Sequence, residues 1–236
     1  VTNRKSEYER AKLASYKQTP EGNLSNSLYQ VRNRWYQGAP FLPSEIDEST
    51  LLTFKALFEK SANPESYLWH LREIYAASRD FRLLQMIPDA VLGRSPQQIY
   101  SYLNNLNSRI LSEVRNEATA DEILSRVKSL RAGERTATDL RALDLLEALV
   151  ERKSSEVLNQ PGPHVTACLA ALRRAFDRDW QPGEPRLMSD FLYQLGGISN
   201  AELAAEQLRE LKALQKLAPA ASRDHLYITN DLCNLL

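Results

Sequence analysis

Glycine is scarce in this chain, 8 residues in 236, and so are histidine (3), cysteine (2) and methionine (2). So few glycines leave no Gly-rich loop of the kind that cradles phosphates. His70, His164 and His225 stand alone, without the i, i+4 spacing of a helical metal site, and Cys168 and Cys233 belong to no Cys-x-x-Cys pair. No metal and no cofactor are therefore expected. Nothing supplies the secreted context that a disulfide needs, so both cysteines are expected as free thiols packed as small buried apolar groups. Charge of one sign is missing too: 30 Lys+Arg against 30 Asp+Glu give a net charge of zero. That balance removes the usual electrostatic case for nucleic acid or an anionic membrane, though a local patch could survive it. It also removes a margin of solubility, which suits a chain that lives with a partner. No run approaches 18 apolar residues, and the basic residues near Val1 are followed by no apolar stretch. A cytoplasmic protein without a membrane span is expected. Strand signals are nearly absent, with no Asn-Gly or Asp-Gly turn.

What the sequence does have is dense helix punctuation. Ser95-Pro96 places a capping hydroxyl before a proline at the first helical position. Thr119-Ala120-Asp121-Glu122 and Ser199-Asn200-Ala201-Glu202 read as capping boxes. Helices stop at Gly133, Pro161-Gly162-Pro163, Pro182-Gly183 and Gly196-Gly197. Between these marks the apolar residues recur at helical spacing: Ile123, Val127 and Leu130 on one helix, then Leu140, Leu143 and Leu146–Leu149 on the next. Further on, Leu203, Leu208, Leu211 and Leu214 form a stripe opposite Glu206, Arg209 and Lys212. Short breaks between long helices force antiparallel hairpins. Pairs start near Ser95, Thr136, Gly183 and Ser222, which are 41, 47 and 39 residues apart. A helical hairpin recurring at such a period predicts an all-α protein, an α-solenoid of antiparallel hairpins with about 10–11 helices wound as a right-handed superhelix.

Residues 95–236 form the hairpin repeats in this reading, and residues 1–94 an irregular helical region that caps the array. Helices are expected there near 3–17, 21–37, 44–62, 64–78 and 79–92, with breaks at Gly38–Pro43, Asn63-Pro64 and Ile87-Pro88. The chain starts without Met and ends on Leu232-Cys233-Asn234-Leu235-Leu236, an apolar helical run with no cap. The expectation is an array that continues further in a longer parent protein.

Residues 190–236 resemble a tetratricopeptide-type repeat. Phe191-Leu192-Tyr193-Gln194-Leu195-Gly196 has the ending of a first helix in that family. Ala201–Leu217, with small residues at Ala204 and Ala205, is similar to a second helix, and Ala218-Pro219 closes the unit. The aromatic residue usual three places after the glycine is replaced by Ser199, and every spacing exceeds the family's period. The resemblance implies a divergent TPR-like solenoid, and a protein-binding scaffold as its function.

Candidate partner contacts are Arg32, Arg34, Trp35 and Tyr36, where two cations beside two aromatics could grip a carboxylate or stack on bases. The alternative is a helix end whose Trp35 anchors the following loop while the arginines face water. On the next candidate helix Tyr100, Tyr102, Asn105 and Arg109 could bond an extended peptide backbone. Equally, Tyr100, Leu103, Leu106 and Ile110 could be a packing stripe with the asparagines in water. No nucleophile is paired with a base and an orienting group, so no enzyme is expected. The function expected is a non-catalytic scaffold holding a peptide or partner helix in a solenoid groove. The alternative is a nucleic-acid-binding or regulatory module built on the arginine-rich turn at 126–141, with Arg126, Lys128, Arg131, Arg135 and Arg141.

Overall fold

The structure, a computed structural model, describes residues 12, 14–19, 22, 26, 48–109, 111, 116–158, 161–195 and 201–235. Among them every regular element is helical, so the protein is all-α, and no described helix is long and apolar enough to cross a membrane. The chain forms two compact units, Val1–Met86 and Ile87–Leu236. The division falls eight residues before Ser95, inside a short helix rather than at the loop before it.

In the first unit, α1 (Glu48–Lys60) lies within the expected 44–62, of which 44–47 are outside the described residues, and α2 (Glu65–Ser78) starts one residue after its expected bound. Leu51, Phe54 and Phe58 are buried at helical spacing on α1, as are Leu68, Leu71 and Tyr75 on α2. Phe54 stacks on Phe58 with ring centroids 5.9 Å apart and meets Tyr67 edge-on at 6.2 Å. One helix was expected over 79–92; instead α2 ends in a left-handed residue, Arg79 (φ 56°), and α3 spans Arg82–Asp89. The cause is local. The side chain of Asp80 accepts the Arg82 amide at 3.0 Å and starts a new helix. Its carboxyl is held below the usual carboxylate range by the Arg82 guanidinium.

In the second unit, α4 (Pro96–Arg109), α6 (Ala137–Val157), α8 (Glu184–Leu195) and α10 (Arg223–Leu235) each begin one residue after a predicted pair start. The caps explain three of these starts. Gln98 N donates to Ser95 Oγ while Gln98 Oε1 accepts from Ser95 N. Asp139 N donates to Thr136 Oγ1, and His225 N to Ser222 Oγ, each at 3.1 Å. The fourth depends on Gly183, whose φ of 77° is open to glycine alone without strain.

The remaining helices are α5 (Glu117–Arg131), α7 (Pro161–Phe176) and α9 (Ala201–Leu217). The capping box proposed at Thr119 is corrected. Asn116 is the N-cap, accepting the Thr119 amide, and Thr119 lies buried in the first turn with its hydroxyl bonded to Asn116. The Asn116 side chain starts the helix three residues earlier, which places Thr119 inside the first turn instead of at its cap. The pattern at Ser199 lies outside the described residues. On α9 the supposed solvent face is also corrected: Glu206 is buried, and its carboxylate accepts from Arg173 of α7 and from Arg209.

The largest interface is the α6/α7 hairpin, and α5 packs on α6. Successive hairpins touch through α7–α9 and α8–α10. A row of contacting helices runs α6–α4–α8–α10. Tyr100 of α4 reaches Met188 of α8, its hydroxyl 3.6 Å from the sulfur, and meets Phe191 edge-on. In that row α4 stands between α6 and α8.

Candidate binding cleft

The starts of α4 and α8 and the first turn of α10 come together in space. A cleft of about 390 Å³ is lined by Ser95, Pro96 and Gln97 at the start of α4 and by Gln181, Pro182 and Gly183 at the start of α8. Arg186, Leu187 and Asp190 of α8 and Asp224 of α10 complete it. Two of the four predicted pair starts, Ser95 and Gly183, thus line one recess, and Asp224, two residues past a third, borders it.

The wall is held by a buried polar device that the sequence reading missed. Arg141 of α6, only 1 % exposed, donates to Glu184 Oε2 at 2.5 Å, and Glu184 is equally buried. Arg141 also donates to the carbonyls of Ala175, Arg178 and Asp179 at 2.9, 2.6 and 3.0 Å. Its guanidinium lies over the Trp180 ring, 4.1 Å from the centroid. One side chain therefore caps the end of α7, shapes the α7–α8 loop and meets the first residue of α8. Glu184 in turn accepts the Gln181 amide at 3.0 Å, and Gln181 Nε2 donates to Thr138 Oγ1 at 2.6 Å. The loop that lines the cleft is fixed from below.

The polar groups facing the cleft are less fully matched. Arg186 lies over the Tyr227 ring, 4.1 Å from its centroid, and its Nε has no hydrogen-bond partner among the described residues. Tyr227 is partly exposed, and its phenol is held below the usual range first by Arg223 and then by Arg186. Asp190 accepts no hydrogen bond among the described residues. Burial, and then the Asp231 carboxylate, push it above the usual carboxylate range against the pull of Arg186. Asp231 itself is buried and accepts from Ser189 at 2.7 Å. Asp224, in the first turn of α10, sits where a helix N-terminus favours an acid. A guanidinium and two carboxylates thus line one recess, with the Tyr227 ring stacked on the guanidinium, a set suited to hydrogen-bonding a peptide backbone and pairing charged side chains. No protein-family model, no curated protein and no solved structure matches the chain.

The residues expected to contact a partner fall elsewhere. Arg32, Arg34, Trp35 and Tyr36 lie outside the described residues. Tyr100 and Tyr102 are core side chains, 2 % and 0 % exposed, so in this conformation neither is offered to a partner. Tyr102 donates to the Ile87 carbonyl at 3.2 Å, and burial next to Glu184 keeps the Tyr100 phenol well above its usual range. Large aromatic groups with somewhere to place a hydroxyl are simply good core material. Asn105 is half-buried and bonds to the Ser101 carbonyl of its own helix, and Arg109 closes α4. The cysteines divide: Cys168 is buried and Cys233 exposed, which corrects the expectation for the second. Among the described residues no three His, Cys, Asp or Glu side chains group so that they could hold a metal ion.

Proposed function

We propose that this chain is a non-catalytic, protein-binding helical module that holds a peptide or partner helix along the cleft at the starts of α4, α8 and α10. The observation that carries this reading is the presence in one cleft of Arg186, stacked on Tyr227, and of Asp190, which accepts no hydrogen bond among the described residues. Arginine and tyrosine at the centre of a contact are the residues that most often dominate binding energy. The cleft stands open between helix ends, as a groove for an extended or helical segment needs. Along α8, Arg186, Asp190 and Tyr193 recur at i, i+4 and i+7, and Tyr193 is exposed, so the surface continues beyond the cleft.

The finer architecture belongs to the same proposal. Contacts of α7 with α9 and of α8 with α10 are those of stacked hairpins, and they support a divergent TPR-like array over this part of the chain. The place of α4 between α6 and α8 is the departure from a strict nearest-neighbour stack.

A peptide library displayed on phage and selected against the intact chain tests the reading. Selected peptides should lose at least about 30-fold in affinity to Arg186→Glu and Tyr227→Ala, the weakening expected of central contacts. Equal affinity for the parent and both variants would refute the assignment of this cleft.

A further inference from the structure

The walls of the cleft at the starts of α4, α8 and α10 do not balance in charge. Arg186, Asp190 and Asp224 are the charged side chains that line it, one guanidinium against two carboxylates. The charges next to these leave the negative surplus unchanged. Asp231 of α10 is buried and Arg223 exposed, one of each sign, and the Arg141–Glu184 pair cancels itself. Arg94 and Asp179, each within two residues of a lining position, are again one of each sign.

Neither lining carboxylate accepts a hydrogen bond or meets a cation within ion-pair distance among the described residues. The two arginines nearby are turned to an aromatic ring instead. The Arg186 guanidinium lies 4.1 Å from the Tyr227 centroid and that of Arg223 5.6 Å from it, with Arg223 Nη2 donating to the Tyr227 hydroxyl at 3.5 Å. The surplus is centred on Asp190, which is half-buried and borders the open cleft. The Asp231 carboxylate acts on it more strongly than the Arg186 guanidinium does. Asp190 also stands six residues past Glu184, about 9 Å along the axis of α8. The positive end of a helix is felt within its first turn and does not offset a charge at that depth. Three amides that the helix starts would offer an anion are engaged already, Gln98 N by Ser95, Gln181 N by Glu184 and His225 N by Ser222.

We infer that the segment held in this cleft presents a lysine or arginine side chain to Asp190, with Asp224 as the second carboxylate. This rests on the reading of the cleft as the site of a peptide or partner helix, and adds to it the chemistry of the side chain that enters. Pro96, Pro182 and Leu187 line the same cleft and give the methylene stem of a basic side chain an apolar surface, while its head reaches a carboxylate. An acidic side chain seeking Arg186 would lie beside Asp190, one turn away on the same face of α8, and be repelled there. A metal ion is a poor substitute, since no three His, Cys, Asp or Glu side chains among the described residues group to hold one.

The test selects a random peptide library, displayed on phage, on the intact chain and titrates a fluorescein-labelled selected peptide by anisotropy. Selected sequences should share a lysine or arginine at one fixed position. Asp190→Asn keeps the shape and removes the charge. It should weaken such a peptide at least about tenfold, and its analogue with glutamine at that position less than about twofold. Asp177→Asn, which removes an exposed charge outside the cleft, should change neither by more than about twofold. Additive losses from Asp190→Asn and the glutamine analogue would overturn the inference. So would equal losses in Asp177→Asn and Asp190→Asn, which would mean a diffuse field. Peptides that need Arg186 and Tyr227 but share no basic residue would overturn it and leave the reading of the cleft standing. A fixed acidic residue would overturn it by making Arg186 the anchor. Peptides indifferent to Asp190, Arg186 and Tyr227, or a library that yields no binder, would remove both together.

Discussion

Replacing Arg141 by methionine should destabilise the second unit more than any other single loss of charge. The substitution roughly keeps the volume and the apolar stem, so packing changes little, and what goes is the guanidinium. Glu184, 1 % exposed, would lose the cation at 2.5 Å and face the interior uncompensated. Removing one partner of a buried pair in this way costs about 3–5 kcal/mol. The Ala175 carbonyl, 2.9 Å from Arg141 Nε, would lose its donor inside the core, which adds about 1 kcal/mol. The carbonyls of Arg178 and Asp179 sit at a half-exposed loop where water can replace the guanidinium, so they add little. A total of about 4–6 kcal/mol corresponds to a melting temperature lowered by about 8–24 °C for a unit of this size. Urea and thermal unfolding followed by far-ultraviolet circular dichroism measure it. The companion variant Arg141→Met/Glu184→Met removes both charges and should recover at least about 2 kcal/mol of the loss, because an apolar pair replaces a buried ion pair at small cost. A single-variant loss under about 1 kcal/mol, or additive losses in the cycle, would refute the view that this pair fastens the α7–α8 loop.

The two thiols should separate in a labelling assay. Burial pushes the Cys168 thiol up to about 12, so at pH 8 it stays protonated and out of reach. A disulfide reagent should titrate one cysteine quickly in the native protein, the exposed Cys233, and the second only in denaturant; two equally fast thiols would contradict the placement of Cys168. Asn116→Ala should cost about 1 kcal/mol in urea unfolding by removing the cap of α5, and rescue by Asn116→Ser but not by Asn116→Val would identify capping as the cause. Asp190→Asn should stabilise the protein at pH 7. A carboxyl raised above its unfolded value favours the protonated fold, so its charged form weakens the native state as pH rises through the folded value. The gain should therefore vanish as pH falls to about 4, and a gain that stays constant with pH would count against the desolvated carboxylate.

Helix boundaries were legible in the sequence wherever a short-range signal decided them. Ser95, Thr136 and Ser222 carry hydroxyls that bond an amide three residues on, and Gly183 supplies a positive φ. The error at Thr119 shows the limit of the same logic: Asn116 and Thr119 could each accept an amide three residues on, and spacing alone does not say which of them starts the helix. The apolar stripes on α5 and α6 were largely legible, since Ile123, Val127, Leu130, Leu143, Leu146 and Leu149 are buried, while Leu140, read on the same stripe, is half-buried. Partner choice between helices was not. The contact of α4 with α8 joins Tyr100 to Met188 across 88 residues, and no local pattern encodes that distance. The buried charges were missed for a related reason. Arg141 and Asp144 lie in the run Leu140-Arg141-Ala142-Leu143-Asp144-Leu145-Leu146, where apolar residues surround them on every face of the helix. A helix apolar all round is a helix buried all round, and an opposite pair at i, i+3 inside one announces a polar network rather than a solvated stripe.

The same accounting bears on the arginine-rich turn at 126–141. Its five cations suggest a basic field only while their partners are unknown. Arg126 forks onto Asp89 at 2.7 and 2.5 Å, and Arg135 bonds the Leu130 carbonyl at the end of its own helix. Arg141 is in the core, and Arg131 serves Asp144 and Glu147 before anything outside. Lys128 alone is exposed without a protein partner among the described residues. Binding to a phosphate backbone draws on cations that exchange salt ions for phosphates, each adding about 0.9 to the salt slope. Cations already neutralised by carboxylates release few such ions. A segment that looks basic in one dimension is thus close to neutral in three, because its guanidiniums are spent on the protein's own carboxylates and carbonyls.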